Sequence, residues 1–146
     1  MILRRATPDD AGVVAEISTR SRHAAMPTIR WAHTAEEDRW WAATILLPQE
    51  EVWVADEDGC VLGFLALHDD WVSQLYLRPD RWRLGIGSRL LDHAKALRPG
   101  GLRLWCFQVY ARGRAFYERH GFRVEKMTDG GDNEEREPDV LYVWKG

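Results

Sequence analysis

The sequence of 146 residues contains few cysteines, no long hydrophobic run and no strong excess of either charge. Its two cysteines, Cys60 and Cys106, form no CxxC pair and each lies in an apolar, strand-like segment, so both are predicted to be buried free thiols. The opening residues MILRRATPDD lack the apolar core of a signal peptide, and no apolar run approaches the ~20 residues that a membrane span needs. These absences predict a cytoplasmic protein with no membrane partner.

Excess positive charge is also missing, because the net charge is −3 at neutral pH. A general nucleic-acid binder usually carries a basic face, so no nucleic-acid partner is expected. The run His68-Asp69-Asp70 has residue types that bind metals. Adjacent residues at a strand end point in different directions, however, and no second cluster completes a site, so no metal is predicted.

The sequence does contain enough apolar material for one folded domain. Hydrophobic residues make up 45% of the chain and charged residues 29%, which is typical of a globular domain. Apolar periodicity and turn residues predict a single mixed α/β domain over residues 1–146, with the order β-α-α-β-β-β-α-β-α-β-β. The predicted strands cover residues 2–6, 51–56, 60–68, 72–78, 102–107, 122–127 and 140–144.

Helix start and stop signals separate these strands. Thr7 is followed by a proline and two aspartates, which suits the N-terminus of a first helix. The run TAEE from Thr34 is a capping box for a second helix, which Pro48 is predicted to end. A third helix follows a glycine-rich turn and is broken at Pro99, and a fourth covers residues 111–120.

The stretch PDRWRLGIGSRLLDHAKAL places Gly85 and Gly87 where a turn becomes the third helix. Backbone amides at such a position can bind an anion, and glycine lets a phosphate approach closely. A tight turn without any ligand is the alternative. A dinucleotide fingerprint would need a third glycine at Leu90, and a P-loop would need a lysine where Ser88 stands, so both of those phosphate loops are excluded.

Two segments together resemble the GNAT superfamily of N-acetyltransferases. One is LYLRPDRWRLGIGSRLL, in which a strand leads into the glycine turn, and the other is RAFYERHGF, a short helix with Tyr117 near its end. The resemblance extends over essentially the whole chain. It implies a mostly antiparallel central sheet flanked by helices, a single N-acetyltransferase domain over residues 1–146, and acetyl-CoA as the co-substrate.

In this family the backbone amides of the glycine turn hold the pyrophosphate of acetyl-CoA. Trp82 occupies the position where members usually carry Arg or Gln, so we expect its side chain to pack beside the loop without touching phosphate. The preceding strand is expected to splay from its neighbour and to pair with the pantetheine arm. The implied cofactor-binding residues are Leu75, Tyr76, Leu77, Arg83, Leu84, Gly85, Ile86, Gly87, Ser88 and Tyr110, the last at a position where the family carries Asn.

Tyr117 matches the family tyrosine that faces the sulfur of CoA, which implies a general acid that protonates the leaving thiolate. The alternative is that Tyr117 is a core tyrosine of an amphipathic helix with no catalytic role. Acetyl transfer to an amine also needs a base that takes the proton of the amine. The resemblance supplies none, because Trp105 stands where some relatives carry Glu. The preferred candidates are Glu134 and Glu135 in a late acidic loop. A water chain could replace them, and the other candidate bases are Glu36, Glu37, Asp69 and Asp70.

Three tryptophans, Trp31, Trp40 and Trp41, fall in the region that covers the acceptor in this family and are predicted to line an apolar cleft. Packing of helices on the sheet is the alternative for each of them. An acidic loop opposite would attract a cation, so the predicted acceptor is a small molecule with a primary amine, with a protein N-terminus or lysine as the alternative. The competing hypothesis for the function is a non-catalytic module that senses acyl-CoA. For the oligomeric state, the family resemblance leaves a homodimer open.

Overall fold

A seven-stranded sheet forms the centre of the computed structural model, which describes residues 1–146. The strands are β1 Ile2–Arg5, β2 Glu51–Glu57, β3 Cys60–His68, β4 Trp71–Leu77, β5 Leu102–Phe107, β6 Arg123–Thr128 and β7 Asp139–Trp144. They lie in the order β1-β2-β3-β4-β5-β7-β6, and every neighbouring pair is antiparallel except β4 and β5. The predicted sheet, mixed but mostly antiparallel, is confirmed.

Helices cover both faces of this sheet. Their bounds are α1 Ala11–Ala25, α2 Ala35–Trp41, α3 Leu47–Gln49, α4 Ile86–Leu97 and α5 Ala111–Arg119. A π-helical turn, Ala42–Leu46, joins α2 to α3 without a break, so the two form one continuous helical stretch. With that stretch counted as one helix, the order of elements is the predicted one. None of the helices combines the length and apolar character required to cross a membrane.

The predicted end of the second helix is confirmed to within one residue, because the continuous helical stretch stops at Gln49, directly after Pro48. The prediction for one of the two cysteines was wrong. Cys60 is exposed, whereas Cys106 is buried as predicted. Cys60 is the first residue of β3, directly after the turn at Asp58 and Gly59, so it lies at the tip of the hairpin formed by β2 and β3.

The core has two layers, one on each face of the sheet. Residues of α4 such as Leu90 and Leu91 pack with Leu65 of β3 on one face, whereas α1 packs against Phe64 and its neighbours on the other. Because alternate residues of a strand point to opposite faces, β3 is buried on both sides and carries an almost continuous apolar run.

The two parallel strands β4 and β5 separate directly after they meet. A single bridge pairs Trp71 with Arg103, next to a hydrogen bond of 2.9 Å from the Arg103 amide to the Asp70 carbonyl. Further along, the edge of β4 that faces β5 has no strand partner, although its other edge stays paired with β3. Ser73 is an extra residue in that pairing and forms a β-bulge. The sheet therefore contains a wedge-shaped gap that opens toward the C-terminal ends of both strands.

Candidate active site

Two cavities open into the gap between β4 and β5. The glycine-loop cavity, about 540 Å³, lies beside residues 82–88. The aromatic trough, about 430 Å³, extends across β5 toward β7 and β6. The two cavities meet at the unpaired edge of β4, because both are lined by the residues Leu75, Tyr76, Tyr110 and Tyr117.

Residues 82–88, the glycine loop, present backbone amides that donate no hydrogen bond within the protein. Arg83 and Gly85 both adopt the left-handed conformation, with φ of 68° and 82°, and Gly85 is the N-cap of α4. Gly87 and Ser88 then bring the first turn of α4 to the cavity wall. Free amides and the positive end of a helix dipole together form a site for an anion such as a pyrophosphate.

Cationic side chains surround the same cavity. Arg83, Arg112 and Arg119 line it, and none of the three forms an ion pair with a carboxylate. Trp82 also lines the cavity, and the guanidinium of Arg112 lies over its ring at 4.5 Å from the centroid. Trp82 thus holds an arginine at the rim through a cation–π contact, at the position where the family usually carries Arg or Gln.

The hydroxyl of Ser88 is oriented by His120. Nδ1 of His120 lies 2.9 Å from the carbonyl oxygen of Phe116, which can only accept, so this nitrogen carries a proton. Nε2 lies 3.0 Å from Oγ of Ser88 and accepts from it when the imidazole is neutral. Nζ of Lys95 donates to the His120 carbonyl at 2.5 Å and ties the end of α5 to α4.

Tyr117 projects from α5 into the gap. Its ring packs against Phe116, Phe122 and Tyr142, with centroid distances of 5.3, 5.8 and 6.2 Å, whereas its hydroxyl has no hydrogen-bond partner in the protein. Burial raises the pKa of Tyr117 well above its usual value, so the phenol keeps its proton at neutral pH. A protonated, unpartnered hydroxyl at a gap between strands is suited to donate a proton to a bound group.

The neighbouring acidic groups are held neutral as well. Burial is the largest cause that raises the pKa of Tyr76 to about 12, and the charge of Glu135 contributes to the rise. Burial also raises the pKa of Tyr110, and it raises the pKa of the Cys106 thiol to about 12. Cys106 is therefore a poor nucleophile, although it lines the aromatic trough.

The aromatic trough has an apolar middle and a polar far end. Trp105 and Phe107 of β5 form its middle, and the indole of Trp105 stacks on Trp71 with ring centroids 6.4 Å apart. The side chains at the end away from β4 are Lys126, Thr128, Asp132, Asn133 and Asp139. Such a shape suits an elongated ligand with an aliphatic body and a polar terminus.

The three tryptophans predicted to line an acceptor cleft are placed differently from one another. Trp31 packs edge-on against Phe107 at 5.9 Å and so lies next to the trough. Trp40 is 62% exposed, whereas Trp41 packs on the core cluster beneath α1. Neither of these two indoles lines the glycine-loop cavity or the aromatic trough.

Trp31 is held in place by buried charge. The guanidinium of Arg22 lies over its ring at 4.9 Å from the centroid. The same guanidinium forms an ion pair of 2.6 Å with the buried carboxylate of Asp38, which also accepts a hydrogen bond of 2.7 Å from Thr19. The connection between α1 and α2 is thereby fixed at one side of the trough.

The acidic loop, residues 129–138, forms the other side. Glu134 is 65% exposed and accepts a hydrogen bond of 2.6 Å from Nε2 of His33, whose Nδ1 lies 3.3 Å from Glu37. Glu134 and Glu135 line neither the glycine-loop cavity nor the aromatic trough. His33 thus bridges the two segments on either side of the trough.

The other acidic candidates lie outside the gap. Glu37 completes the capping box of α2 with Thr34, through hydrogen bonds of 3.0 and 3.1 Å. Asp69 and Asp70 form the turn between β3 and β4 and line neither cavity. Glu36 is likewise absent from both cavity walls.

Asp139 is a site residue that the sequence reasoning missed. It is 8% exposed, lines the trough, and accepts hydrogen bonds from the hydroxyl of Thr128 and, at 3.1 Å, from the amide of Asn133. It stands at the first position of β7. The one available signal was a charged residue at the start of an apolar strand, which by itself indicates only a strand end.

Comparison with known proteins matches residues 48–124 to the family described as the acetyltransferase (GNAT) domain. The chain is 30% identical over 132 residues to the peptidyl-lysine N-acetyltransferase YjaB of Salmonella typhimurium, covering 89% of this chain and 88% of that protein. Among solved structures, apo YjaB from Escherichia coli superposes with a TM-score of 0.82 at 23% identity, covering 100% of this chain and 99% of that one. PaiA N-acetyltransferase from Thermoplasma acidophilum in complex with coenzyme A gives 0.78 at 21% identity, covering 99% and 98%.

Proposed function

The chain belongs to the GNAT superfamily of acetyl-CoA-dependent N-acetyltransferases, and on that premise we propose that it transfers the acetyl group to a primary amine by direct attack. The observation that carries the proposal is the unpaired edge of β4. It runs from the donor-rich glycine loop to the protonated hydroxyl of Tyr117 and then into a second cavity. A thioester with a long polar arm and a separate acceptor would each have a place there.

The residues around the gap fit acetyl-CoA. The free amides of the glycine loop would bind its pyrophosphate, and the three unpaired arginines add positive charge near the same place. The backbone of Leu75, Tyr76 and Leu77 would pair with the amides of the pantetheine arm as a short extra strand. The proposed binding set is Leu75, Tyr76, Leu77, Arg83, Leu84, Gly85, Ile86, Gly87, Ser88 and Tyr110.

Acetyl-CoA supplies the acetyl group, and a carbon–nitrogen bond forms as the carbon–sulfur bond breaks. Tyr117 would donate its phenolic proton to the departing thiolate sulfur. A backbone amide of the unpaired β4 edge would stabilise negative charge that develops on the acetyl oxygen. Tyr117 can perform this role because its phenol is protonated at neutral pH and no group of the protein already accepts its proton.

The amine must lose a proton before or during attack, and we assign this proton to the acidic loop. Glu135 is the preferred candidate of the two, because it is half-buried and its carboxylate forms no ion pair within the protein. Glu134 is already engaged with His33. Since neither carboxylate lines a cavity, a water molecule would carry the proton from the amine to Glu135.

The acceptor is proposed to be a small molecule with a primary amine that enters through the aromatic trough. The apolar middle of the trough suits an aliphatic chain, and its acidic far end suits a cation. A lysine side chain of a protein is the second candidate, favoured by the likeness to YjaB, which is named a peptidyl-lysine N-acetyltransferase. Both candidates present a primary amine as the reacting group. A homodimer stays a prediction.

Thiol release from acetyl-CoA in the presence of an amine panel tests the proposal. The panel would contain alkylamines, diamines and a lysine-containing peptide, with the acetylated product identified by mass spectrometry. We expect turnover with at least one primary amine and none with a tertiary amine of the same size. Micromolar binding of acetyl-CoA without turnover on any amine would instead support the competing hypothesis of a module that senses acyl-CoA.

A further inference from the structure

We infer that Asp139 binds a second positive charge on the acceptor, so that the preferred substrate is an aliphatic amine with two cationic nitrogens. The inference rests on the proposed acetyltransferase function and concerns only which amine is chosen. It depends on the burial of Asp139, on its place in the sheet, and on the character of the surface between it and the gap.

Asp139 is a buried carboxylate without a cationic partner. The residue is 8% exposed, and its two hydrogen-bond donors, Thr128 and Asn133, are both neutral. Lys126 lines the same trough but forms no ion pair with it. A buried charge without a counter-charge is costly, and an ammonium group of a ligand would remove that cost.

The register of the sheet places this carboxylate away from the reacting centre. Asp139 is paired with Phe107 on β5 and with Thr128 on β6. β5 therefore lies between Asp139 and the unpaired edge of β4, and two strand spacings amount to roughly 10 Å. A nitrogen that attacks a thioester held on β4 cannot at the same time bind Asp139. The group that Asp139 recognises must be a different part of the acceptor.

The surface between the two positions is apolar. Trp105 and Phe107 line the trough on one face of β5, and Leu104 and Cys106 contribute from the other. A methylene chain would pack there, whereas a polar spacer would lose hydrogen bonds. The trough thus matches a molecule with an amine at the gap, an aliphatic spacer, and an ammonium group at Asp139. An α,ω-diamine has this pattern.

A purely structural role for Asp139 would be to hold the acidic loop. That loop has other ties, because the side chain of Asn133 also donates to the Glu137 carbonyl at 2.8 Å and accepts from its amide at 3.2 Å. The side chain of Gln108 further binds the backbone carbonyls of Thr128 and Asp139, at 2.9 and 3.2 Å. The charge of Asp139 can therefore be removed while most of the loop contacts remain.

The test compares 1,5-diaminopentane with pentylamine, which has the same chain length and only one nitrogen. We expect kcat/KM to be about 10–100-fold higher for the diamine, because one hydrogen bond between charged groups contributes a factor of this size. Asp139→Asn should bring this ratio close to one. Asp129→Asn is the matched control, because it removes one negative charge from the adjacent acidic loop at a residue that lines neither cavity, and the new amide oxygen can still accept the 2.9 Å hydrogen bond from the Gly131 amide. This variant should retain the preference.

Calorimetry of both amines with the protein saturated with CoA measures the same selectivity without turnover. Wild-type protein should bind the diamine at least about tenfold more tightly than pentylamine, and Asp139→Asn should not. Equal binding of the two amines, or a preference that survives in Asp139→Asn, overturns the inference and leaves the acetyltransferase proposal intact. Diamine selectivity in binding with no acetylation of any amine would support the role of Asp139 and contradict the proposed reaction.

Discussion

Tyr117 is the residue whose replacement tests the chemical step most directly. Its hydroxyl has no partner in the protein and burial raises its pKa, so the proton is kept until a departing thiolate can accept it. Tyr117→Phe is expected to lower kcat about 10²–10⁴-fold, which is the usual contribution of a positioned acid. Thiol release under saturating substrates measures kcat, and calorimetry should show nearly unchanged affinity for CoA.

Tyr142→Phe is the matched control for that variant. This phenol lies 6.2 Å from Tyr117 by ring centroids, but its hydroxyl already donates to Glu118 at 2.5 Å and accepts from Arg114 at 3.0 Å. Its loss should affect stability and leave kcat close to that of the native protein. Because the pKa of Tyr117 is raised, kcat should show no alkaline fall below about pH 9. The assignment of Tyr117 as the acid is contradicted if Tyr117→Phe and Tyr142→Phe have the same kcat.

The site residues that belong to a short local motif could be predicted from the sequence. Residues that reach the site only through a contact between distant parts of the chain could not. Gly85 and Tyr117 belong to the two short segments that carry the family resemblance, and both line the cavities at the gap. The contact of Glu134 with His33 joins residues 101 positions apart, so nothing near either residue announces it. Asp139 depends in the same way on strand pairing, because its place in the trough is set by the register of β5, β6 and β7.

Elements were predicted well where apolar periodicity is strong. β3 and α4 have clear two-residue and helical patterns, and their positions follow from those patterns. Pro48 marked the end of the second helix correctly to within one residue, because the helical stretch stops at Gln49, but the π-helical turn Ala42–Leu46 inside that stretch was not predicted. The separation of β4 from β5 depends on a single bridge between distant strands and was implied only by the family resemblance.

The bridge between the α1–α2 connection and the acidic loop is expected to depend on pH. Both ring nitrogens of His33 face carboxylates, which suits the doubly protonated imidazole. The hydrogen bond with Glu37, and then the one with Glu134, raises the pKa of His33 above 6.5. A raised pKa in the folded protein means that the bridge is fully formed below pH 6.5 and is lost as the pH rises through the raised value.

Hydrogen exchange of the acidic loop measures this bridge. After correction for intrinsic rates, protection of residues 129–138 should fall as the pH rises from about 6 to 8. His33→Gln should show low protection at every pH. His68→Gln, at an exposed imidazole at the end of β3, should behave as the native protein does. The same pH dependence in His33→Gln would show that another group controls the loop.

On the scale of the whole molecule, the sheet is two sheets joined at one point. β1 to β4 form one half and β5 to β7 the other, and strand pairing connects them only at Trp71 and Arg103. Side chains reinforce this junction, because Trp71 stacks on Trp105 at an interplanar angle of 13° and the Arg103 guanidinium lies 5.3 Å from the Trp71 ring centroid. We expect this junction to set how far the gap opens, and with it the spacing between the β4 edge and Tyr117.

Trp71→Ala is therefore expected to affect both stability and the geometry of the gap. Loss of the stacking and of the cation–π contact should lower the free energy of unfolding by about 2–3 kcal/mol, measured by urea titration. Trp40→Ala, at an indole that is 62% exposed, should change it by less than about 0.5 kcal/mol. Hydrogen exchange should also accelerate along β4 and β5 in Trp71→Ala under native conditions. If the two variants are equally stable and equally protected, strand pairing alone holds the halves together, and the stacked tryptophans do not set the gap.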